Sequence, residues 1–302
     1  MTAAEQATTT QRGEGQMSMP EVMTAVGKLQ ATVEAFAAVG ARAAVSEPGA
    51  IHPEVSDGID EVLAAAGLPS LDGLEPPQRM MVAAYVRSAF GQAAKLLAEP
   101  TRPPGWAYDE PPVLEGQGRA SMPIPGMLAQ TGEIGAVTSL LDVGTGVGWL
   151  AVGATQVWPD CTVVGIDTWE TSLDRARANV AESGLADRIE LRNQNVADVD
   201  DVDRFDLTWL PSFFVRADVL PAAFERVLAA TKPGGQIVVA RYDPPPDPLA
   251  SATLKLRTVR DGGSFLETDE LMALLEKAGW TDVRTAPKNG PITLTFILGR
   301  KP

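Results

Sequence analysis

Three glycines at alternate positions, Gly144, Gly146 and Gly148, follow a short apolar run and precede a helical pattern in LLDVGTGVGWL, residues 140–150. Glycine permits a tight turn and close backbone approach, and the N–H groups of a helix start aim at the same spot. Such a loop is built to receive an anionic or polar ligand. Asp142 stands just before the glycines, and Asp167 closes the next apolar run. A carboxylate at that strand end has two acceptor oxygens, which match the two hydroxyls of a ribose. A dinucleotide fingerprint, G-x-G-x-x-G, would need its third glycine at position 149, where Trp149 stands. The spacing disfavours a hydride-transfer dehydrogenase.

The run from Asp142 to Gly148 instead matches, position by position, the E/D-x-G-x-G-x-G loop of class I S-adenosylmethionine (SAM) dependent methyltransferases, and the chain resembles the small-molecule type of that family over roughly residues 130–302. The Lys-Pro-Gly-Gly turn at 232–235 belongs to the same likeness. The resemblance implies SAM as cofactor. It implies a cradle of Asp142, Gly144, Thr145, Gly146 and Gly148, with Asp167 on the ribose and Thr168 and Trp169 against the adenine face. After the third strand it implies Asn195 or Asp198, with Val196, beside the adenine amino group, and Leu210 at the end of the fourth strand. Arg119 is a plausible partner for the methionyl carboxylate, because a guanidinium fork matches it.

The methyl of SAM is already activated, so the protein's task is to align an acceptor and exclude water, with a base needed only if the acceptor must lose a proton. O-methyltransferases of the plant and fungal type use a histidine beyond the fifth strand. The only histidine here is His52, far upstream, for which a surface or capping role is expected. Tyr242 and Asp243, leaving the fifth strand, and Tyr108, with Trp106 and Glu110 on the segment 100–121, are the polar candidates near the acceptor. Trp209, Phe213, Phe214, Trp106 and Met122 would make the pocket largely apolar, suited to a small, secondary-metabolite-like acceptor. Attack on another carbon of SAM, by aminocarboxypropyl transfer or by cyclisation releasing methylthioadenosine, is an alternative on the same fold, as is a non-catalytic scaffold.

Two motifs are set aside. Asp243-Pro244-Pro245-Pro246 follows the fifth strand and lacks a closing aromatic, so it reads as a rigid turn. Asp198, Asp200, Asp201, Asp203 and Asp206 read as a solvated acidic loop, with no metal site.

These residues need a sheet to hold them. Apolar runs at 138–143, 162–167, 188–193, 205–210 and 236–242 alternate with helical patterns, which predicts a doubly wound, Rossmann-like parallel sheet. Two further strands around Asn289-Gly290 predict a C-terminal antiparallel hairpin, for seven strands in all. Upstream the pattern is helical. Val22, Val26, Leu29, Val33 and Phe36 step at 3.5-residue spacing, which predicts one narrow seam packed on a neighbouring helix of the same domain or on a second copy in a homodimer. Helices are also expected over 54–66 and 76–97. The resulting division is a disordered tail (1–17), a helical subdomain (18–99) for substrate, as a lid, or for dimerisation, a linker and lid (100–130) in which five prolines over 100–121 oppose regular structure, and the SAM-binding domain (131–302).

Hydrophobic residues make up 45% and charged ones 21%, the composition of a folded globular chain. A single cysteine, Cys161, and a single histidine exclude a disulfide framework and a His/Cys zinc site. With 25 basic against 39 acidic residues the net charge is -14, and no basic cluster interrupts it, so nucleic acid is not an expected partner. The first residues lack the basic start and apolar core of a signal peptide, and no apolar run approaches the roughly 20 residues of a spanning helix. The expectation is a cytoplasmic protein that acts on a small molecule without a membrane.

Overall fold

The computed structural model describes residues 17–45, 49–68, 70–288 and 293–302. Two compact units divide the chain, one up to Phe90 and one from Gly91 to Pro302. The expected tail lies almost wholly outside the described residues, as does the Asn289-Gly290 turn.

The first unit is helical, as the periodicity predicts: α1 (Met19–Ala44), α2 (Pro53–Ala65) and most of α3 (Pro76–Ala98). Glu21 accepts from both the backbone N–H and the hydroxyl of Ser18, closing the start of α1. His52 occupies the N-cap position of α2 and is exposed. The seam on α1 is packed at one end only. Phe36 stacks on Phe90 at 5.7 Å and meets Tyr85 edge-on at 6.2 Å, and Gly40 lies so close to α3 that a Cβ there would sit 2.6 Å from Val86 Cγ1. Met19, Val22, Val26, Leu29 and Val33, further up the same stripe, are exposed. Packing of the whole seam on a helix of the same unit is therefore overturned. α1 also departs from the expectation that no run is long enough to span a bilayer: by length and composition it would be, because alanines and valines separate its few charges.

The second unit opens with α4 (Pro111–Ser121) and α5 (Ile124–Gln130), where the sequence had suggested irregular chain. The prolines misled, because Pro111 and Pro112 occupy the first turn of α4, where a missing N–H leaves no hydrogen bond unmade. The alternating region follows: β1 (Ser139–Val143), α6 (Trp149–Val157), β2 (Thr162–Asp167), α7 (Glu170–Glu182), β3 (Ile189–Asn193), β4 (Phe205–Pro211), α8 (Leu220–Ala230), β5 (Thr231–Tyr242), α9 (Pro248–Arg260), α10 (Thr268–Lys277), β6 (Thr281–Thr285) and β7 (Leu294–Arg300). The strands form one sheet of order β3-β2-β1-β4-β5-β7-β6, parallel except where β7 runs antiparallel between β5 and β6. The predicted fold class is the observed one. The Lys-Pro-Gly-Gly turn is drawn into the start of β5, opposite an irregularity in β4.

Alternation along the strands builds a core on each face. Leu140, Val163, Leu207, Trp209 and Val238 pack on one side with residues of α5 and α6; Leu141, Val164, Leu210, Ile237 and Val239 pack on the other with residues of α8 and α10. The acidic loop is less solvated than expected. Asp201 pairs with Arg192 and Arg204. Asp206 takes the N–H and hydroxyl of Thr138, the Ser139 N–H and the Lys232 ammonium, tying β1, β4 and β5 together.

Candidate cofactor and acceptor site

The C-terminal ends of the central strands are where an open α/β sheet binds its ligand, and the sequence motifs converge there. After β1 the chain turns back so sharply that Gly144 and Thr145 both donate their N–H to the Ile166 carbonyl on β2. Gly144, Gly146 and Gly148 have φ of 69°, 56° and 85°, a left-handed conformation that favours glycine. Gly148 also lets α7 approach, since a Cβ on it would meet Ala176 at 3.4 Å.

Two carboxylates frame the loop. Asp142 is 1% exposed and accepts from the Thr145 hydroxyl at 2.7 Å. Burial, with the Asp167 charge nearby, pushes its pKa up to about 7. Asp167 accepts from the Gly146 N–H and the Trp169 N–H, each at 2.8 Å, and burial raises its pKa too, against those hydrogen bonds. Among the described residues no lysine or arginine pairs with either. A cationic ligand would supply the charge that the protein withholds, whereas the pyrophosphate of a dinucleotide would add to the repulsion. SAM, which carries a sulfonium and an ammonium, fits these residues.

The residues expected to meet adenine lie at the ends of β2 and β3. Thr168 is exposed, and Trp169, half-buried, donates its indole N–H to Asp109 at 3.1 Å. The Asn195 side chain accepts from the Ala197 N–H, closing a turn at Val196–Asp198, and the Val196 side chain is buried. Leu210 needs correction. Alternation along β4 turns it away from the ligand end, and it is fully buried with Leu220 and Phe224. Arg119 lies over the Trp149 ring, 4.1 Å from its centroid, with Nε 3.4 Å from Glu115. A role on the methionyl carboxylate would require those contacts to be given up.

Beside the loop, at the ends of β4 and β5, runs a row of aromatics. Tyr242, at the end of β5, stacks on Phe213 at 4.1 Å; Phe213 meets Phe214 at 4.9 Å, Phe214 meets Trp106 at 5.9 Å, and Trp106 meets Tyr108 at 4.9 Å. Phe214, 40% exposed, borders the glycine loop, because a Cβ on Gly144 would lie 3.9 Å from its Cβ. Trp209 is excluded from this surface by burial in the core against Phe296.

Two catalytic candidates are corrected here. Tyr108 is fully buried, donates to Asp261 at 2.9 Å and accepts from Arg260. Burial, then the Asp261 charge, raises its pKa far above the ordinary phenol range. It anchors the segment before α4 to the end of α9 and is no proton acceptor. Asp243 accepts from Lys288 at 2.7 Å and Thr295 at 2.5 Å; burial would raise its pKa, but these bonds outweigh it and hold the carboxyl below its usual range, which makes a weak base. Tyr242 keeps its place beside the aromatics.

The sequence reading missed the backbone seam behind that row. Ser264 donates both its N–H and its hydroxyl to the Ser212 carbonyl, and a Cβ on Gly263 would fall 1.9 Å from the Phe213 carbonyl oxygen. It also missed Glu115 and Asn179, which hold the glycine loop from behind. No local motif announces either, since both depend on contacts between distant parts of the chain.

Comparison with known proteins agrees with this geometry. Residues 140–235 match a family described as a methyltransferase domain. An arsenite methyltransferase of Halobacterium salinarum is 28% identical over 156 residues, which are 50% of this chain and 39% of that protein; the chain spans well under half of the curated relatives it matches. Among solved structures, PigF with S-adenosylhomocysteine superimposes with a TM-score of 0.66 at 17% identity, over 95% of this chain and 100% of that one. The mitomycin 7-O-methyltransferase MmcR does so with a TM-score of 0.63 at 18% identity, over 94% and 98%. At such identities the likeness shows the fold. A matched methyltransferase domain over residues 140–235, set in this sheet order with its glycine loop and two carboxylates intact, gives the chain the fold of the class I SAM-dependent methyltransferases.

Proposed function

We propose that the protein transfers the methyl group of SAM to a small, largely apolar acceptor of the secondary-metabolite kind, by in-line displacement. One observation carries the cofactor half of this reading: Asp142, buried, and Asp167, half-buried beside it, have no basic partner among the described residues. The aromatic row from Tyr242 to Trp106, bordering that cradle, supports the acceptor half. So do the structural relatives, one of which is named for methylating mitomycin.

When bound, SAM supplies an activated methyl and a sulfur leaving group. Asp167 would accept the ribose hydroxyls, and Asp142 would stabilise positive charge near the loop. Trp169 offers an indole face to the adenine. Phe213, Phe214 and Trp106 hold a flat acceptor and exclude water, which shortens the approach of its nucleophilic atom to the methyl. Tyr242 is the remaining polar group of that row and orients the acceptor or takes its proton.

We further propose a homodimer through α1. Its exposed stripe keeps the heptad spacing of the part that packs on α3, so the surface already has the form that a second helix recognises. We place the protein in the cytoplasm, consistent with its lone buried cysteine.

The deciding experiment incubates the protein with SAM and a panel of flat phenols, amines and thiols and identifies the nucleoside product. S-adenosylhomocysteine with a methylated acceptor is expected. Methylthioadenosine would move the reaction to another carbon of SAM, and no calorimetric binding of SAM would remove the enzymatic reading.

A further inference from the structure

Glu115 is a carboxylate on α4, 18% exposed, with donors from two other helices converging on it. The Trp149 indole reaches it at 2.9 Å from the first position of α6, and Arg175 and Asn179 reach it at 2.5 and 3.1 Å from α7. Burial would raise its pKa, but these bonds outweigh it and keep the carboxyl ionised below its usual range. Asn179 is 1% exposed, and its Nδ2 has a second target, the Val147 carbonyl at 2.9 Å, between the second and third glycines. Its Oδ1 is buried without a partner.

An asparagine amide has two orientations, and contacts choose between them. Here the flipped orientation would set Oδ1 against both the Val147 carbonyl and the Glu115 carboxylate. An ionised carboxylate only accepts, so Glu115 forces the amide to present both its hydrogens where they are needed. The helix bearing Glu115 also presses on the loop, since a Cβ on Gly118 would fall 2.2 Å from Val147 Cγ2.

We propose that Glu115 is a positioning residue for the cofactor. By orienting Asn179 it holds the Val147 carbonyl, and by accepting from Trp149 it holds the first residue of α6, so both flanks of Gly148 are fixed without contact to the ligand. The proposal rests on reading that loop as the SAM cradle.

The test is calorimetric titration of S-adenosylhomocysteine into wild type and four variants, with thermal midpoints recorded in parallel. Glu115→Leu removes the acceptor and is expected to weaken binding about tenfold or more, the scale of a lost hydrogen bond to a charged group. Glu115→Gln keeps the shape and one acceptor oxygen and should recover part of that loss. Asn179→Asp, nearly the same size, should weaken binding at least as much as Glu115→Leu, because it sets oxygen against both partners. Arg175→Met takes a donor from Glu115 without touching Val147 and should stay within about twofold of wild type. Wild-type affinity in Glu115→Leu and Asn179→Asp, or a loss in Arg175→Met as large as in Glu115→Leu, would overturn the proposal while the cradle reading stands. Failure of wild type to bind would overturn the cradle reading first, and this proposal with it.

Discussion

At the β1–β2 end of the sheet the ligand surface is mostly backbone: three glycines in left-handed conformations, N–H groups answered by Asp167, and a carboxylate sealed beneath them. At the β4–β5 end it is side chain: Phe213, Phe214 and Tyr242 from the strand ends, with Trp106 delivered from more than a hundred residues upstream. Backbone recognition suits a ligand that never changes, because it leaves little for substitution to alter. Side-chain recognition suits a ligand that differs from one enzyme to the next. On the proposed function, the division lets one sheet keep its cofactor while its acceptor changes.

The comparison breaks most visibly if the acceptor end proves as backbone-dependent as the cofactor end, and Gly263 is the point to press. Gly263→Val places atoms against the Phe213 carbonyl and is expected to destabilise the second unit by about 3 kcal/mol or more, read as a large fall in thermal midpoint. Asp167→Ala tests the other end, where SAM affinity should fall by about 1–3 kcal/mol in a titration, the cost of unpaired buried donors. Unchanged affinity would remove Asp167 from the cradle.

The pH dependence sharpens the contrast. Asp142 titrates near 7 in the fold, against an ordinary 3.8 in the unfolded chain, so between those values the folded state holds the extra proton. Stability of the ligand-free protein should therefore decline as pH rises from about 4 to about 7 and level off above. A cationic ligand prefers ionised Asp142, so SAM should bind more tightly at pH 8 than at pH 6, by up to about tenfold. Asp142→Asn should flatten both trends, and a SAM affinity that stays level from pH 6 to 8 in the wild type would show that this carboxylate does not sense the cofactor. The smallest effect on turnover belongs to Tyr108→Phe, which loses buried hydrogen bonds to Asp261 and Arg260, a stability cost of about 1–3 kcal/mol, but should leave the pH profile of turnover in place.

The same contrast explains what the sequence disclosed. The cradle is written in one short stretch, because glycine conformation and a carboxylate at a strand end are local matters, and the alternation of strands and helices supplied the sheet around it. The acceptor end is assembled from afar. The helices that escaped notice, α4, α5 and α9, each carry proline in the first turn, so residues that oppose a helix interior here open one. Leu210 was placed at the ligand by its position in the strand, but the pleat decides orientation and sends it into the core. Tyr108 and Asp243 carry the right chemical groups for a base; their partners, Asp261 and Arg260 for one and Lys288 and Thr295 for the other, lie where no spacing rule reaches.

Gly165, in the middle of β2, stands where a Cβ would come within 2.7 Å of the Thr145 hydroxyl. The two positions are thereby coupled: with threonine at 145 and Leu191 at 3.0 Å on β3, strand position 165 admits nothing larger than hydrogen. Gly165→Ala alone should be poorly tolerated, and Thr145→Ala should relieve it only in part, since the Cβ of residue 145 at 2.9 Å and Leu191 at 3.0 Å remain, a coupling measurable as non-additive unfolding free energies in a double-mutant cycle. In diverging descendants of this chain, threonine 145 and glycine 165 are expected to change together or to stay together.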